Sequence, residues 1–337
     1  MSTLTFPITS GSGSSAITKT VTLDWSTLDS SQIKIIPTSQ IASLTPTTVL
    51  EIPEDAVPGM TTAQIAAIPS NVIDQLTPGQ LSAISTAQLT GLGTAQLSKF
   101  TTTQITALSA DQLGTLKVAY LSLDQVKAIL PDQISNASVN TITSLSPDQF
   151  EALSLTQLQA MTLAQIKSLS ASQVAKIDTS ELPNLSDEQL SALNAQQITA
   201  LSSAQVVSTV NALMALPFGD SQITGIASDI IATLSTTQLN YLSENQIKGL
   251  STTQVRALSA SQLNGLNEYK LQAIEVGDLA SVNTSVMAGL STAQIAKLTE
   301  SQLAALTWVD VSALNCSGSM AVSCELLRLA TASCVNA

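Results

Sequence analysis

Polar and apolar positions recur along this chain in a unit of eight residues, Ser/Thr-x-x-Gln-apolar-x-x-apolar, which we call the octad. Examples are STAQLTGL from Ser85 to Leu92 and STTQVRAL from Ser251 to Leu258. Counting by the Gln position gives 36 octads, and all 24 that carry Gln have Ile, Leu, Val or Phe directly after it. Repetition at a fixed period is typical of stacked-repeat proteins, so the chain is predicted to be an array of similar units.

The octad register has two breaks and two ends that do not repeat. The spacing between successive Gln positions shortens near 121–124 and lengthens by one residue within 206–221. We interpret each break as a kink or bulge in one array, with a hinge or a binding insert as the alternative. The predicted organisation is a strand-like arm or cap over 1–23, an octad solenoid over 24–314 and a C-terminal cap over 315–337.

A continuous α-helix does not fit the octad. Eight residues at about 100° each displace the apolar pair by about 80° per repeat, so no face would remain apolar. Ser or Thr three residues before Gln has the spacing of a capping box, which begins a helix. The sequence therefore predicts an all-α solenoid with one very short helix per octad. The proposed capping pairs, which in a β-fold would form a Gln ladder, include Ser85 with Gln88, Ser109 with Gln112, and Ser251 with Gln254.

The alternative fold is a β-solenoid. Ile, Val and Thr are frequent, and Gln side chains could stack along the coils of such a fold. However, the apolar spacings alternate between three and five residues, whereas a strand needs a period of two. Helical octads are favoured, with two or three octads assumed for each coil.

The two ends of the chain differ from the octads and from each other. Leu4, Phe6 and Ile8, followed by a Gly/Ser-rich stretch and a Thr-rich apolar run, predict two strands. These strands would form a cap, or one of them would be donated to a neighbouring molecule. The three cysteines, Cys316, Cys324 and Cys334, lie together at the other end. They are predicted to be either reduced and buried in the cap or partly disulfide-bonded, with a role in assembly.

Composition bears on function mainly by exclusion. The net charge of −12 disfavours nucleic acid, and only 11% of residues are charged, against about 25% in ordinary soluble domains. A weakly charged surface offers little repulsion between copies, which favours self-association. The chain has no His, the commonest general base and metal ligand. We expect no enzyme activity, cofactor or bound metal, and no run is long and apolar enough to span a membrane.

The phrases STAQIAKL, STTQLNYL and SASQLNGL resemble the Ser/Thr-x-x-Gln-Ile/Leu arrays of very large bacterial surface and secreted repeat proteins. The resemblance covers residues 24–314 and rests on one short motif. It implies an extended stalk or adhesive spacer in an extracellular, cell-surface or virion setting. This chain is shorter, has distinct ends and shows no recognisable export signal, which favours a self-contained building block.

Three functions remain open from the sequence. The first is a structural subunit that associates with itself in a filament, a surface layer or a virion or cell-surface fibre. The second is a monomeric stalk, adhesin or protein-binding scaffold, with a surface or matrix protein as its partner. It would need a row of distinctive residues at one outward octad position, and we expect only small polar residues there. The third is ice binding, for which the repeated hydroxyls would have to form a flat exposed array.

Overall fold

The computed structural model describes residues 2–10, 17–213 and 220–306, and the chain divides into two compact units, Met1–Ser168 and Leu169–Ala337. The described residues form 29 short α-helices and one two-stranded antiparallel sheet near the N-terminus. The predicted all-α fold with a strand-like arm is therefore confirmed, and the β-solenoid alternative is wrong. The octads are helical although Ile, Val and Thr favour strands, because the capping boxes and the apolar spacing both suit a short helix.

The first unit begins with β1 (Thr3–Ser10) and β2 (Ile17–Asp24) and continues with helices of four to six residues. Short 3₁₀ turns lie at Trp25–Thr27, Val57–Gly59, Ile73–Gln75 and Val118–Tyr120. The α-helices are α1 (Ser30–Lys34), α2 (Thr38–Ile41), α3 (Thr48–Glu51), α4 (Thr62–Ala67), α5 (Pro78–Ala83), α6 (Thr86–Leu89), α7 (Thr94–Leu97), α8 (Thr102–Ala107), α9 (Ala110–Thr115), α10 (Leu123–Lys127), α11 (Pro131–Asn136), α12 (Val139–Thr143), α13 (Pro147–Glu151), α14 (Leu155–Gln159) and α15 (Leu163–Ser168).

The second unit repeats the same element, with one longer helix, α19, and 3₁₀ turns at Leu182–Asn184 and Asp220–Gly225. Its α-helices are α16 (Ala171–Val174), α17 (Asp187–Ser191), α18 (Ala195–Thr199), α19 (Ser203–Leu213), α20 (Ser228–Thr233), α21 (Thr236–Tyr241), α22 (Glu244–Lys248), α23 (Thr252–Arg256), α24 (Ala260–Gly265), α25 (Glu268–Ala273), α26 (Val276–Leu279), α27 (Thr284–Ala288), α28 (Thr292–Ile295) and α29 (Glu300–Ala304).

One octad folds as a helical turn followed by an extended return, as α4 illustrates. Thr61 caps the helix in an extended conformation, with φ −80° and ψ 158°. Ile68 ends it with ψ 125°, and its N–H donates to the carbonyl of Ile65. Because so short a helix is unstable alone, it depends on packing against neighbouring coils.

Within each unit, helices pack beside those three octads further along the chain, as α2 does beside α4, α5 beside α8 and α22 beside α25. Hydrogen bonds described below reach four octads back. One coil therefore takes between three and four octads, not the two or three assumed from the sequence.

The core consists of two rows of apolar side chains, one directly after Gln and one four residues after it. In α4 these are Ile65 and Ile68, which are 0% and 4% exposed. The hairpin adds Leu4 and Phe6, which are also buried. Ser2, directly before β1, donates from both its N–H and its hydroxyl to the carboxylate of Glu51 in α3.

Candidate functional site: the glutamine ladder and the outer surface

The repeated Gln begins its own helix, as the capping-box spacing predicts. In α4 the Oε1 atom of Gln64 accepts from the N–H of Thr61 at 2.7 Å, and the hydroxyl of Thr61 accepts from the N–H of Gln64 at 3.2 Å. Two of the N–H groups that a helix start leaves unpaired are thereby satisfied.

The amide nitrogen of the same Gln binds a different coil. Nε2 of Gln64 donates to the carbonyls of Ile33 and Ile36, at 2.7 and 2.8 Å, 31 and 28 residues earlier. These carbonyls belong to the last turn of α1 and the residues that follow it. One side chain therefore caps the N-terminus of its own helix and the C-terminus of a helix in the preceding coil.

This arrangement repeats, and we call it the glutamine ladder. The structure places the residues proposed from the sequence in it: Gln88, Gln112 and Gln254 each accept from the N–H of their serine, Ser85, Ser109 and Ser251, and donate to two carbonyls 31 and 28 residues back. Further glutamines that donate with the same offsets are Gln80, Gln96, Gln104, Gln149, Gln157, Gln165, Gln205, Gln262, Gln294 and Gln302. Gln294 differs at its cap, because its Oε1 accepts from Nζ of Lys297 while the N–H of Ser291 donates to Asn264.

The ladder explains why the repeat uses Gln and not Glu. A capping box accepts either residue, but only an amide can also donate to two carbonyls. The cap hydroxyl is less essential, because Gln96 and Gln133 keep all their ladder bonds although Gly93 and Leu130 stand at their cap positions. The buried Gln row is thus a structural device, and the coil-to-coil half of its role was missed from the sequence.

The ladder also locates the first break in the register. Gln149 donates to the carbonyls of Val118 and Leu121, so Lys117 occupies a Gln position. Lys117 directly follows the core residue Leu116, which means that the three residues Ser/Thr-x-x are missing there. Without a capping box, this octad forms a 3₁₀ turn over Val118–Tyr120. Gln125 and Gln133 cross the shortened coil with offsets of 28 and 25 residues and keep both bonds.

At the second break the ladder again continues, with one of its two offsets changed. Gln222 donates to the carbonyls of Ser191 and Leu193, with offsets of 31 and 29 residues. Gln254 then returns to the regular offsets, with bonds to Ile223 and Ile226. Both insertion and deletion are accommodated because the ladder bonds join backbone carbonyls, which every residue supplies.

The outer surface carries a feature that the sequence interpretation overlooked. At the position directly after the cap, octads elsewhere mostly have Ser, Thr, Ala or an acid. Six consecutive octads instead have apolar residues, which we call the apolar belt: Leu123, Pro131, Val139, Pro147, Leu155 and Leu163. Leu123 and Leu163 are 46% and 43% exposed. The expectation of only small polar residues at outward positions was wrong, and aligning the octads would have revealed the row.

Where the pKa of an acidic side chain is lowered on the described surface, the carboxylate mainly accepts hydrogen bonds from residues close to it in sequence. The pKa of Asp29, the cap of α1, is lowered first by the hydroxyl of Ser31 and then by the N–H groups of Gln32 and Ser31. The pKa of Asp178 is lowered by the hydroxyl and N–H of Ser180. In both cases the donated hydrogen bonds stabilise the charged carboxylate, and this lowers its pKa.

The described residues contain no group of three or more Asp, Glu or Cys side chains arranged to hold a metal ion. Over the same part of the chain, no helix has the length and apolar character that crossing a bilayer requires. Cys316, Cys324 and Cys334, and the predicted cap over 315–337, lie outside the described residues.

Comparison with known families gives one match, to the ALTTAQ repeat, over residues 73–110, 81–118 and 271–308. These matches fall in two stretches, one in each unit. In the first, the phrase Ala83-Ile-Ser-Thr-Ala-Gln88 spans the end of α5 and the capping box of α6. The match supports a tandem-repeat protein. A comparison with curated proteins gives no match.

Proposed function

We propose that this tandem-repeat protein is a non-enzymatic structural subunit that assembles with copies of itself into a filament, a surface layer or a fibre of a cell or virion surface. The glutamine ladder supports a structural role. The one polar side chain that the repeat conserves in its interior is buried and bonded within the chain, as for Gln64, which is 1% exposed. The amide groups of the repeated Gln side chains therefore stabilise the fold and are not available to bind a substrate.

The observation that carries self-assembly is the free outer edge of β2. The N–H of Trp25 donates to the carbonyl of Ser2, and the pairing register then makes Leu4 with Leu23 and Phe6 with Val21 the hydrogen-bonded pairs. Thr20 and Thr22 lie in the intervening pairs, so their N–H and C=O groups point away from β1. No third strand pairs with this edge among the described residues.

The other edge of the hairpin is blocked. Pro7 pairs with Thr20 in a non-hydrogen-bonded position, so its nitrogen faces outward on β1 and cannot donate. Strand addition would therefore occur at β2, whose edge offers continuous donors and acceptors. Such one-sided addition joins unlike surfaces and produces open assemblies unless the rotation closes a ring.

The test is electron microscopy of the full chain over a concentration series in reductant, so that disulfides do not contribute. We expect ordered assemblies for the native chain and for Thr20→Val, and their loss for Thr20→Pro, which removes one outward N–H. Single particles of the native chain at every concentration would overturn the proposal. Assemblies that persist in Thr20→Pro would overturn the strand-addition route.

A protein-binding scaffold is the second candidate, and the apolar belt favours it because structural repeats need no exposed leucines. Ice binding has less support, because cap hydroxyls such as that of Thr61 accept a hydrogen bond from their own helix.

A further inference from the structure

The apolar belt forms one continuous surface over two neighbouring coils. Its six residues begin the helices α10 to α15, and α10 packs beside α13, α11 beside α14 and α12 beside α15. Leucines and prolines that are far apart in sequence are thereby brought to the same ends of adjacent helices.

The surface between the two rows of helix ends is also apolar. A Cβ on Gly91 would lie 2.5 Å from the carbonyl oxygen of Thr62, which shows that residues 29 apart meet where coils touch. The same offset of 29 residues places Ala152 beside Leu123 and Ala160 beside Pro131. Leu130, 42% exposed, extends the belt at a cap position where most octads have Ser or Thr. Of the belt residues, Leu123, Pro131 and Leu163 are exposed, and Val139, Pro147 and Leu155 are half-buried. A contiguous apolar surface that is partly open to solvent is typical of interaction sites.

The belt has an acidic border. Asp124, Asp132 and Asp148 directly follow belt residues Leu123, Pro131 and Pro147, and all three are exposed. An apolar stripe beside a row of carboxylates is complementary to a stripe of apolar side chains beside a row of Lys or Arg.

We propose that the apolar belt of α10–α15 binds a basic amphipathic segment of a partner protein. The segment would lay its apolar face across Leu123, Leu155 and Leu163 and direct its basic side chains at the aspartates. This surface is distinct from the β2 edge, so the proposal does not depend on self-assembly.

Charge also disfavours the other occupants. A second copy docked belt to belt would bring the aspartate rows together, and the chain has 24 acidic against 12 basic residues. Anionic lipid headgroups and nucleic acid phosphates would likewise meet carboxylates.

The probe is a fluorescent Leu/Lys peptide of about five helical turns, titrated into the full chain and followed by anisotropy. A Ser/Lys peptide of equal charge measures purely electrostatic binding. The main variant is Leu123→Thr/Leu155→Thr/Leu163→Thr, since Thr is the residue that octads such as the one at Thr62 carry there. Val276→Thr changes the same octad position outside the belt and serves as its control.

We expect the Leu/Lys peptide to bind the native chain and Val276→Thr equally, and the triple variant at least about tenfold more weakly. Asp124→Asn/Asp132→Asn/Asp148→Asn should weaken binding and reduce its dependence on salt. Thermal unfolding and circular dichroism confirm that each variant is folded.

Equal binding by the triple Thr variant, or equal affinity for the Ser/Lys peptide, would overturn the proposal. The proposal would also be overturned if the native chain sediments as a dimer and does not bind the peptide, while the triple variant sediments as a monomer. The occupant of the belt would then be a second copy of the chain. Association with anionic vesicles but not with the peptide would identify a lipid surface and also overturn it.

Discussion

The side-chain amide of Gln197 donates to the backbone carbonyl of Leu169 at 2.8 Å, although the two residues are 28 positions apart. The same side chain accepts from the N–H of Asn194 at 2.7 Å. Gln197 is 1% exposed, so both bonds form away from water, where an unpaired group is costly. This one residue therefore joins helix initiation to coil stacking.

Gln197→Glu should strongly destabilise the protein. The carboxylate can still accept from Asn194, but it cannot donate to Leu169 and places a buried charge against a carbonyl oxygen. The expected loss is about 3 kcal/mol in the free energy of unfolding, measured with urea. Gln196→Glu, one residue earlier and exposed, is the matched control and should change stability by less than about 0.5 kcal/mol.

The penalty of Gln197→Glu should also depend on pH. Burial raises the pKa of the introduced carboxyl in the folded state, so the folded protein binds a proton more readily than the unfolded chain. Stability relative to the native protein should recover as pH falls through that raised pKa, because the protonated acid can donate. A loss that is equal at neutral and acidic pH would show that the carboxylate is not buried in the ladder.

Thr141→Gln should stabilise the first unit by completing the ladder. Thr141 is buried at a Gln position, and its hydroxyl bonds only locally to Ser138 among the contacts that the structure records for it. The offsets of Gln125 and Gln133, 28 and 25 residues, would direct a Gln at this position to the carbonyls of Leu113 and Leu116.

The expected gain is about 1 kcal/mol per new hydrogen bond, measured as a higher urea midpoint. Thr141→Val, which removes the hydroxyl without adding a donor, is the comparison and should not stabilise. A lower midpoint for Thr141→Gln would mean that the shortened coil has no room for the longer side chain beside Gly114.

The helix starts could be predicted from the sequence because capping is local. Ser85 and Gln88 are three residues apart, and their reciprocal bonds depend on nothing outside the octad. The second role of Gln88, donation to Val57 and Met60, depends on how many octads complete a coil. That number is set by packing between coils, which a period of eight does not determine, and so the ladder was invisible in the sequence. The apolar belt, in contrast, could have been predicted from the sequence, because its residues all occupy the same octad position.

The cap of α1 should make part of the stability sensitive to acid. Hydrogen bonds from Ser31 and Gln32 lower the pKa of Asp29 in the folded protein, so this contribution is complete above the unfolded pKa of about 4. It is lost as pH falls through the lower folded value. Asp29→Ser keeps a capping oxygen without a titrating group and should lose less stability on acidification than the native chain. The measurement is the urea midpoint of the native chain minus that of Asp29→Ser, taken at pH 7 and again at about pH 2. Carboxylates that both proteins share contribute equally and cancel in this difference. An unchanged difference would exclude Asp29 as an acid-sensitive cap.

Two glycines should respond oppositely to alanine because one lies at a junction between coils and the other does not. A Cβ on Gly91 would meet the carbonyl oxygen of Thr62 at 2.5 Å, whereas a Cβ on Gly277 would meet nothing within 4 Å. Gly91→Ala should therefore push neighbouring coils apart and cost about 1–3 kcal/mol in the free energy of unfolding. Gly277→Ala, inside α26, should gain about 0.5–1 kcal/mol, because alanine loses less backbone entropy in a helix. Urea unfolding of the two variants beside the native chain provides the measurement. If both variants are equally stable, the close approach of coils at Gly91 is not maintained in solution, and the register that places Ala152 beside Leu123 would lose its support.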